Sequence, residues 1–426
     1  MLHISKTIYD PLHGEVIDIG HLRPLVDSRP FQALAGKLQL GMTSLVYRNA
    51  HHTRFEHSIG AYRATQTRGH AWVRRGWITS EEHAAAAAYG LLHDVGHPAF
   101  SHVTEDFCAL DDDQRSLELI EGELRKEIEA CGINPDLVAE IARHDNPLYR
   151  MVHDKNLGTE KLDYLERDGF HTGQGRPSGI AYLRKFVMYP DRRLVIDEKA
   201  VEHVVDTLNF YMRMYKEIYF RKALVIAQRM FQKAVHHLIR ADELNPADLY
   251  DMTDAELWGG HMYRSTEPVV RDMYARIRER RLFTEAVVFR SEEMLCETRV
   301  AGKAITCLSV SADEMSRLVT SPHLDKKNHE KLEAVEADIE DAVRLPAGSV
   351  LVVPVFNPER FRTKDVEVLG SNGEVHSLLE RRPKTFEGMG ELARSYEALR
   401  ICTTPEHRET LSRAASDVKE SVLSCI

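Results

Sequence analysis

Apolar residues recur at helical spacing over the first two thirds of the chain, from about residue 20 to residue 280. Clear examples are SLELIEGELRKEIEAC, VEHVVDTLNFYMRMYKEIYF and ALVIAQRMFQKAVHHLI. In each, one face of the predicted helix is apolar and the opposite face is polar. A period of 3.6 residues suits packed helices and does not suit the two-residue period of a strand. The pattern therefore predicts an α-helical body.

Beyond about residue 284 the sequence changes to short β-rich runs separated by turns, namely EAVVFR, AITCLSV and SVLVVPVF. In VEVLGSNGEVHSLL, Asn372-Gly373 lies between apolar segments, a pattern that is typical of a β-hairpin. We therefore expect a mainly α fold, in which an all-helical domain (1–284) is followed by a smaller α+β domain (285–426). The charged stretch from residue 313 to residue 342 is interpreted as a solvated helix face.

The composition restricts the choice of partners. Acidic residues outnumber basic ones, 66 against 56, and give a formal net charge of −10, which argues against nucleic acid or an anionic membrane as partner. The longest apolar runs fall short of the ~18–20 residues that span a bilayer, and the start MLHISKTIYD does not resemble a signal peptide. Six cysteines without a CxxC pair indicate free thiols. We expect a soluble, cytoplasmic protein.

The densest set of potential metal ligands lies in LLHDVGHPAFSH, residues 91–102. On a helix, His93 and Asp94 are ~100° apart and His97 lies between them in projection, so the three could face one pocket. Pro98 disfavours helical geometry at His97, so the helix is predicted to end there. Neutral imidazole binds first-row divalent metals and carboxylate supplies negative charge. The segment therefore predicts a metal site at a helix end.

Two further segments carry chemically suitable side chains. In HHTRFEHSIG, Arg54 and His57 are three residues apart and share a helical face, so an arginine able to bind phosphate stands beside a potential metal ligand. The polar stripe of GTEKLDYLERDGFHTG could line a pocket, and it consists of Glu160, Lys161, Tyr164 and Asp168.

Each of these features also has an ordinary structural explanation. Arg54 could form a surface ion pair, and Tyr164 could be a core residue with a satisfied hydroxyl. A second His-Asp dipeptide, His144-Asp145, shows that the dipeptide alone carries little information. What favours a shared site is the order of the segments: a histidine, a His-Asp pair 36 residues later, and an acidic residue on a further helix.

Five segments in this order resemble the HD superfamily of metal-dependent phosphohydrolases. They are YDPLHGEVIDIG (9–20), FQALAGKLQLG (31–41), HTRFEHSIG (52–60), GLLHDVGHPAFSH (90–102) and EKLDYLERDGFHTG (160–173). More narrowly, the chain is similar to the branch that contains the SAM- and HD-domain deoxynucleoside triphosphate triphosphohydrolases and their bacterial relatives. We expect a bacterial-type member without a SAM domain.

The resemblance implies roles for individual residues. The implied metal ligands are His57, His93, Asp94 and Glu160. The implied catalytic residues are Arg54 and His102, which would contact phosphates, and His97, as acid or base. The implied substrate-binding residues are Gln39, Leu40, Lys161, Tyr164 and Asp168, with Lys161 on the phosphates. Asp27 and Gln32 match part of a regulatory nucleotide site.

The chain departs from the family pattern at several of these places. Glu160 stands where the family has aspartate, and Ala35 stands where the regulatory site has an arginine. The family's histidine-glutamate pair after the HD segment is replaced by DDDQRSLELIE. On the phosphate side, Tyr211, Tyr215 and Arg221 occupy positions where relatives have other residues.

Hydrolysis of (deoxy)nucleoside triphosphates to nucleoside and tripolyphosphate by metal-activated water is the activity that the resemblance implies. The ligand set suits iron, manganese, zinc or nickel, and magnesium could accompany the substrate phosphates. Two alternatives stay open: a nucleoside monophosphatase or phosphodiesterase with the same metal, and a non-catalytic HD protein that binds nucleotide. The likeness also implies a homo-oligomer, either a dimer or a tetramer.

Overall fold

The computed structural model describes residues 6–291, 305–355 and 364–426. Its α-helices are α1 (Arg23–Val26), α2 (Arg29–Ala33), α3 (Arg54–Arg74), α4 (Ser80–Leu92), α5 (Asp112–Glu121), α6 (Arg125–Ala130), α7 (Pro135–Ala142), α8 (Arg150–His153), α9 (Thr159–Thr172), α10 (Ile180–Phe186), α11 (Val201–Met214), α12 (Lys222–Arg240), α13 (Pro268–Arg278), α14 (Ala312–Thr320), α15 (His329–Val343), α16 (Leu378–Arg381), α17 (Pro383–Arg394), α18 (Arg408–Arg413) and α19 (Ala415–Ser424).

The strands are β1 (Thr7–Asp10), β2 (Glu15–Asp18), β3 (Val187–Met188), β4 (Val195–Asp197), β5 (Thr284–Ser291), β6 (Thr306–Val310), β7 (Val350–Val353), β8 (Glu367–Leu369), β9 (Val375–Ser377) and β10 (Leu399–Thr403). Most of the described residues outside the strands are helical or lie in short connections between helices, so the expected mainly α fold is confirmed.

The chain forms two compact units, each built from three segments. The first comprises the described residues within Met1–Ile218, Ala247–Leu257 and Thr363–Met389. The second comprises those within Tyr219–Pro246, Trp258–Arg362 and Gly390–Ile426. The boundary expected after residue 284 therefore falls inside the second unit. Sequence periodicity could not indicate this division, because α12 and α13 have the same apolar spacing as the helices of the first unit.

In the first unit, α3 packs against α4 and α9, and these three helices carry the predicted site. Four of the five consecutive alanines of α4, residues 85–88, are buried, and their small side chains let the backbones of α3 and α4 approach closely. Gly90 has the same function, since a Cβ there would lie 2.7 Å from Thr65 Oγ1. The unit also contains the antiparallel pair β1–β2 and a sheet with strand order β3-β4-β8-β9.

The predicted hairpin around Asn372-Gly373 is confirmed: β8 and β9 are antiparallel, and Gly373 adopts a left-handed conformation with φ of 81°. The second unit contains a four-stranded sheet of order β6-β5-β10-β7, in which β5 and β6 are parallel and β10 is antiparallel to both of its neighbours. Helix α15 packs against α19 and β7 through Leu332, Val335 and Ile339.

The interpretation of residues 313–342 as a solvated face is wrong for part of α15. Glu336 is only 1 % exposed, and it accepts hydrogen bonds from Lys233 Nζ at 2.6 Å and from the backbone N–H of Val352 at 2.9 Å. A charged side chain is buried here because cationic and backbone donors compensate for its lost hydration.

The helix that was expected to continue as far as His97 ends earlier. Helix α4 ends at Leu92, and the chain continues in turns, with hydrogen bonds from Val95 N to Leu92 O and from His97 N to Asp94 O. Gly96 and Pro98 both disfavour a continued helix, so the metal-ligand segment lies on a turn after α4. Among the described residues, no helix is both long enough and apolar enough to cross a membrane.

Candidate metal centre

Four side chains predicted as metal ligands converge from two helices and one turn. Candidate ligand atoms of His57, His93 and Asp94 all lie within 4.8 Å of one another, and these three residues are buried. The Nε2 atom of His93 is 3.2 Å from His57 Nε2, 3.4 Å from Asp94 Oδ1 and 3.8 Å from Glu160 Oε2. Helix α3 supplies His57, the turn after α4 supplies the His-Asp pair, and α9 supplies Glu160.

The hydrogen bonds of the two histidines indicate that a cation belongs between them. His57 Nδ1 lies 2.9 Å from Asp163 Oδ2, and His93 Nδ1 lies 3.0 Å from the carbonyl oxygen of Gly90. Both partners are acceptors, so each neutral ring carries its proton on Nδ1. The two Nε2 lone pairs then face each other at 3.2 Å, and a metal ion is the species that stabilises this arrangement. The residues present therefore fit the implied metal.

Asp163 is a residue of the site that the sequence did not single out. Its carboxylate accepts from Arg167 Nε at 2.9 Å as well as from His57, and Arg167 also binds Asp10 at 3.0 Å. Gly60 makes room for this cluster, because a Cβ there would lie 2.0 Å from Asp163 Oδ1. Asp163 follows Glu160 by three residues on α9, which is the only sequence signal that points to it.

Arg54 and Asp94 form a buried pair at the edge of the cluster. Arg54 begins α3, where Thr53 and Glu56 form a capping box, and its Nη1 donates to Asp94 Oδ2 at 2.6 Å. Burial by itself would raise the pKa of Asp94, but the charges of Arg54 and two nearby histidines outweigh burial and hold that pKa well below its usual range. Asp94 is therefore ionised and available to a cation.

Glu160 has a partner that sequence reasoning missed. His153, at the end of α8, places Nδ1 2.9 Å from Glu160 Oε2. The Glu160 carboxylate raises the pKa of His153 to about 10. Burial would raise the pKa of Glu160, but His153 outweighs burial and lowers it. His153 is followed by Asp154, so the chain contains a third His-Asp dipeptide, and its position just before α9 was the available signal.

The predicted catalytic histidines lie on one side of the cluster. His97 is buried, with Nε2 2.8 Å from Asp112 Oδ2 and 3.3 Å from Asp94 Oδ1. Burial and Arg54 lower the pKa of His97, but the two carboxylates outweigh them and raise it. The side chain of His102 is 68 % exposed, and its Nδ1 contacts Glu105 Oε2 at 2.9 Å.

Lys161, predicted to contact phosphates, is buried within the first unit. Its Nζ donates to the carbonyl oxygen of Lys155 at 2.5 Å and lies 3.4 Å from the ring centroid of Tyr211. Burial lowers the pKa of Lys161 to about 7. The hydroxyl oxygens of Tyr211 and Tyr215 are 3.4 Å apart.

The other residues predicted to bind substrate lie on α9 and on the segment before α3. The ring centroid of Tyr164 lies 6.2 Å from the ring centroid of His57. Asp168 is buried and contacts His52 Nε2 at 2.8 Å. Gln39 and Leu40 are half-buried, and Gln39 Oε1 is a buried atom without a hydrogen-bond partner in the described part of the chain.

The two residues predicted to form a regulatory nucleotide site, and the aspartate of the second His-Asp dipeptide, bind other residues of the chain. Asp27 binds Lys6 and accepts from Arg23 at 3.0 Å, while Gln32 Nε2 donates to the carbonyl oxygen of Val26 at 2.7 Å. In the second His-Asp dipeptide, Asp145 is exposed and pairs with Arg143 at 3.0 Å.

Comparisons with known proteins agree with the resemblance found in the sequence. A family model described as an HD associated region matches residues 183–306. The uncharacterized protein YwfO of Bacillus subtilis is 32 % identical over 259 residues, which cover 57 % of each chain. The Dictyostelium discoideum homolog of the deoxynucleoside triphosphate triphosphohydrolase SAMHD1 is 25 % identical over 308 residues, covering 66 % of this chain and 59 % of that protein. The chain thus spans a little over half the length of these curated relatives.

A crystal structure of a phosphohydrolase from Bacteroides thetaiotaomicron has the same fold, with a TM-score of 0.70 and 22 % identity over 94 % of this chain and 99 % of that one. In this fold a helical body brings a histidine, a His-Asp pair and a later carboxylate together. The chain is thus similar, over part of its length, to metal-dependent phosphohydrolases of the HD superfamily.

Proposed function

We propose that the protein hydrolyses (deoxy)nucleoside triphosphates to nucleoside and tripolyphosphate in a metal-dependent reaction. The observation that carries this proposal is the approach of His57, His93, Asp94 and Glu160 to one point, with two imidazole lone pairs facing each other. The name of the Dictyostelium relative supports the choice of substrate.

The four residues would hold iron, manganese, zinc or nickel, because imidazole nitrogen and carboxylate oxygen together suit these ions. When bound, such an ion supplies Lewis acidity, which activates water near neutral pH and offsets phosphate charge. The carboxylate of Asp163 behind His57 and the carbonyl oxygen of Gly90 behind His93 keep both rings in the tautomer that a metal requires.

The chain's own cations would bind the phosphate oxygens. Arg54 is already fixed by Asp94 and by Ser101 Oγ, which accepts from its Nε at 2.6 Å, so the guanidinium needs little reorganisation when charge develops. Lys161 and His102 are proposed to contact the same phosphate chain. The unpartnered Oε1 of Gln39, together with Asp168 and Tyr164, would recognise the sugar, since a buried acceptor without a donor is satisfied by a ligand hydroxyl.

A second candidate is a nucleoside monophosphatase or phosphodiesterase. It is favoured by Asp112, which contacts His97 on the predicted phosphate side and adds negative charge where a long polyphosphate would lie. Burial of Lys161 against Tyr211 also reduces the cationic surface there.

The test is a product assay on the purified protein loaded in turn with each candidate metal. The four deoxynucleoside triphosphates are supplied singly and as a mixture, the four deoxynucleoside monophosphates are supplied in parallel, and the products are separated by ion-exchange chromatography. We expect tripolyphosphate and nucleoside; orthophosphate from monophosphates would favour the second candidate instead.

Two aspartate variants provide the control for this assay. Asp94→Asn should abolish hydrolysis, whereas Asp145→Asn, in the exposed His-Asp dipeptide, should retain it. Absence of any phosphorylated product with every metal would refute both candidates and leave nucleotide binding without catalysis.

A further inference from the structure

The backbone is strained in residues 97–101, which we call the strained turn. Phe100 and Ser101 adopt left-handed conformations, with φ of 59° and 52°, although neither is a glycine. This conformation costs free energy for a residue with a Cβ, so it persists only where surrounding contacts enforce it. Strain of this kind is concentrated at functional sites, and this turn lies between Asp94 and His102. The contacts that enforce it are therefore relevant to the reaction.

Lys37 binds the first residue of the strained turn. Its Nζ donates to the carbonyl oxygen of His97 at 2.6 Å and to that of Tyr250 at 2.7 Å. The side chain is 1 % exposed, and burial lowers the pKa of Lys37 to about 8, so the amine stays mostly protonated at neutral pH. Two carbonyl acceptors compensate the buried ammonium for its lost hydration. Lys37 thus acts on the backbone of the turn.

Asp254 binds the middle of the strained turn. Its Oδ1 accepts from the backbone N–H of Phe100 at 2.6 Å, and its Oδ2 accepts from that of Leu38 at 2.9 Å. Nearby in sequence, the carbonyl oxygen of Leu249 accepts from the backbone N–H of Ala99 at 2.8 Å. Residues 247–257 belong to the first unit, as the turn does. This segment therefore binds two consecutive N–H groups of the turn.

The strained turn in its own right supports Arg54, the residue proposed to bind phosphate. Ser101 Oγ accepts from Arg54 Nε at 2.6 Å, and the carbonyl oxygen of Lys37 accepts from the backbone N–H of Arg54 at 2.9 Å. The guanidinium is thus held by Ser101 at Nε and by Asp94 at Nη1. Because the position of Ser101 Oγ depends on the backbone of the turn, a looser turn would release Nε.

We infer that Lys37 and Asp254 are positioning residues: by holding the strained turn in its left-handed conformation, they fix the guanidinium of Arg54 for the phosphate. This inference rests on the proposed function, in which Arg54 binds phosphate oxygens. Lys37 and Asp254 act on the backbone of residues 97–101, and the proposed metal ligands lie outside that range.

Loss of either contact should slow the reaction and leave metal binding intact. A guanidinium that is no longer held in place must reorganise as charge develops on the phosphate. Since a misplacement of ~1 Å can cost about 100-fold in rate, we expect kcat to fall about 10- to 100-fold. The Kd for Mn²⁺ should not change, because the strained turn supplies none of the four proposed ligands.

Lys37→Met and Asp254→Asn test the inference. Methionine has a similar length to lysine but no donor, and asparagine places an NH2 group where two backbone N–H groups each need an acceptor. We measure kcat and KM with the nucleotide that the wild type hydrolyses fastest, and the Kd for Mn²⁺ by calorimetry. The matched control is Lys233→Met in the second unit, which also removes a buried ammonium, bound there to Glu336. It should lower the free energy of unfolding and leave kcat unchanged.

A double variant shows whether the effect passes through Ser101. Ser101→Ala removes the acceptor of Arg54 Nε, so Ser101→Ala combined with Asp254→Asn should have the kcat of the slower single variant. Losses that multiply in the double variant would overturn the inference. So would a kcat in Lys37→Met as high as that of Lys233→Met, and this comparison decides the question if Asp254→Asn does not fold.

Hydrogen exchange followed by mass spectrometry separates this inference from the proposed function. The backbone N–H groups of Ala99 and Phe100 should lose protection in Asp254→Asn and keep it in Lys233→Met. Equal protection in the wild type and Asp254→Asn would overturn the inference. A wild type that hydrolyses no nucleotide, with protection lost in Asp254→Asn, would refute the proposed function and leave the hold of Asp254 on the strained turn standing.

Discussion

Asp163 determines the chemistry of His57 although it is not itself a proposed ligand. Its carboxylate accepts from His57 Nδ1 and thereby directs Nε2 toward the cluster. Replacing Asp163 with asparagine removes the carboxylate that keeps this ring oriented. Loss of such a supporting contact typically weakens metal binding 10–100-fold, roughly the effect we expect here. Calorimetric titration of the stripped protein with Mn²⁺ measures it.

The control for this prediction is Asp10→Asn. Asp10 binds Arg167, whereas the partner of His57 Nδ1 is Asp163, so loss of the Asp10 charge disturbs the same ion-pair network and leaves the His57–Asp163 contact in place. If both variants weaken Mn²⁺ binding equally, general damage to the network, and not the orientation of His57, is the cause.

At the scale of elements, the contact between the His-Asp turn and α5 depends on a glycine. A Cβ at Gly96 would lie 2.4 Å from backbone atoms of Asp112 and Ser116, and backbone cannot give way cheaply. Gly96→Ala should therefore lower the free energy of unfolding by about 1–3 kcal/mol, as overpacking does. Denaturant titration measures the change.

Gly388→Ala is the comparison for that variant. Gly388 lies in α17 with nothing near the Cβ position, so alanine there should be neutral or stabilising by up to about 1 kcal/mol. A Gly96→Ala protein as stable as Gly388→Ala would show that the turn and α5 are not tightly packed.

Helix α15 in the second unit contains a buried histidine that makes stability depend on pH. His329 is 5 % exposed, and its Nδ1 accepts from Arg229 Nη1 at 3.1 Å. Burial and the Arg229 charge lower the pKa of His329 to about 3. The unfolded chain therefore binds more protons than the folded one between that value and the ordinary pKa of ~6.5, so stability falls as pH decreases through this range.

His329→Gln removes the titrating group and keeps an acceptor for Arg229. The wild type should lose about 2 kcal/mol more than this variant between pH 7 and pH 5, a difference that follows from the two pKa values. Equal pH dependence of the unfolding free energies in the two proteins would contradict the assignment.

The elements also show what the sequence can and cannot predict. Helical spacing predicted α11 and α12, and Asn372-Gly373 predicted the β8–β9 hairpin, because these signals are local. The contact of Glu336 with Lys233 was not predictable, since it joins residues 103 apart in sequence. Helix α4 ends at Leu92, several residues before the end that Pro98 predicts, because Gly96 also disfavours a continued helix.

The ligand residues of the candidate site could be predicted from the sequence, but the residues that orient them could not. Resemblance to a family pointed to His57, His93, Asp94 and Glu160, which the structure brings together. The residues that orient them have no such pattern. Asp163 and His153 act through contacts that only the packing of α3, α8 and α9 creates.

On the scale of the whole molecule, metal binding should stabilise the folded chain, because the ligands come from three distant segments and are assembled only on folding. At a free Mn²⁺ concentration 100 times the Kd of the site that contains His57 and His93, the free energy of unfolding should rise by about 2.7 kcal/mol relative to the stripped protein. Denaturant titration with and without MnCl2 measures the difference. The His93→Gln variant should not show this Mn²⁺-dependent increase in the free energy of unfolding. A wild-type protein whose free energy of unfolding does not change with Mn²⁺ would contradict the prediction.

The central claim is that His57, His93, Asp94 and Glu160 share one cation. Crystals grown with MnCl2 and measured near the manganese absorption edge test it directly. We predict an anomalous difference peak about 2.0–2.3 Å from Nε2 of both histidines and from an oxygen of each carboxylate. Well-ordered crystals at saturating Mn²⁺ without a peak at this cluster would contradict the account.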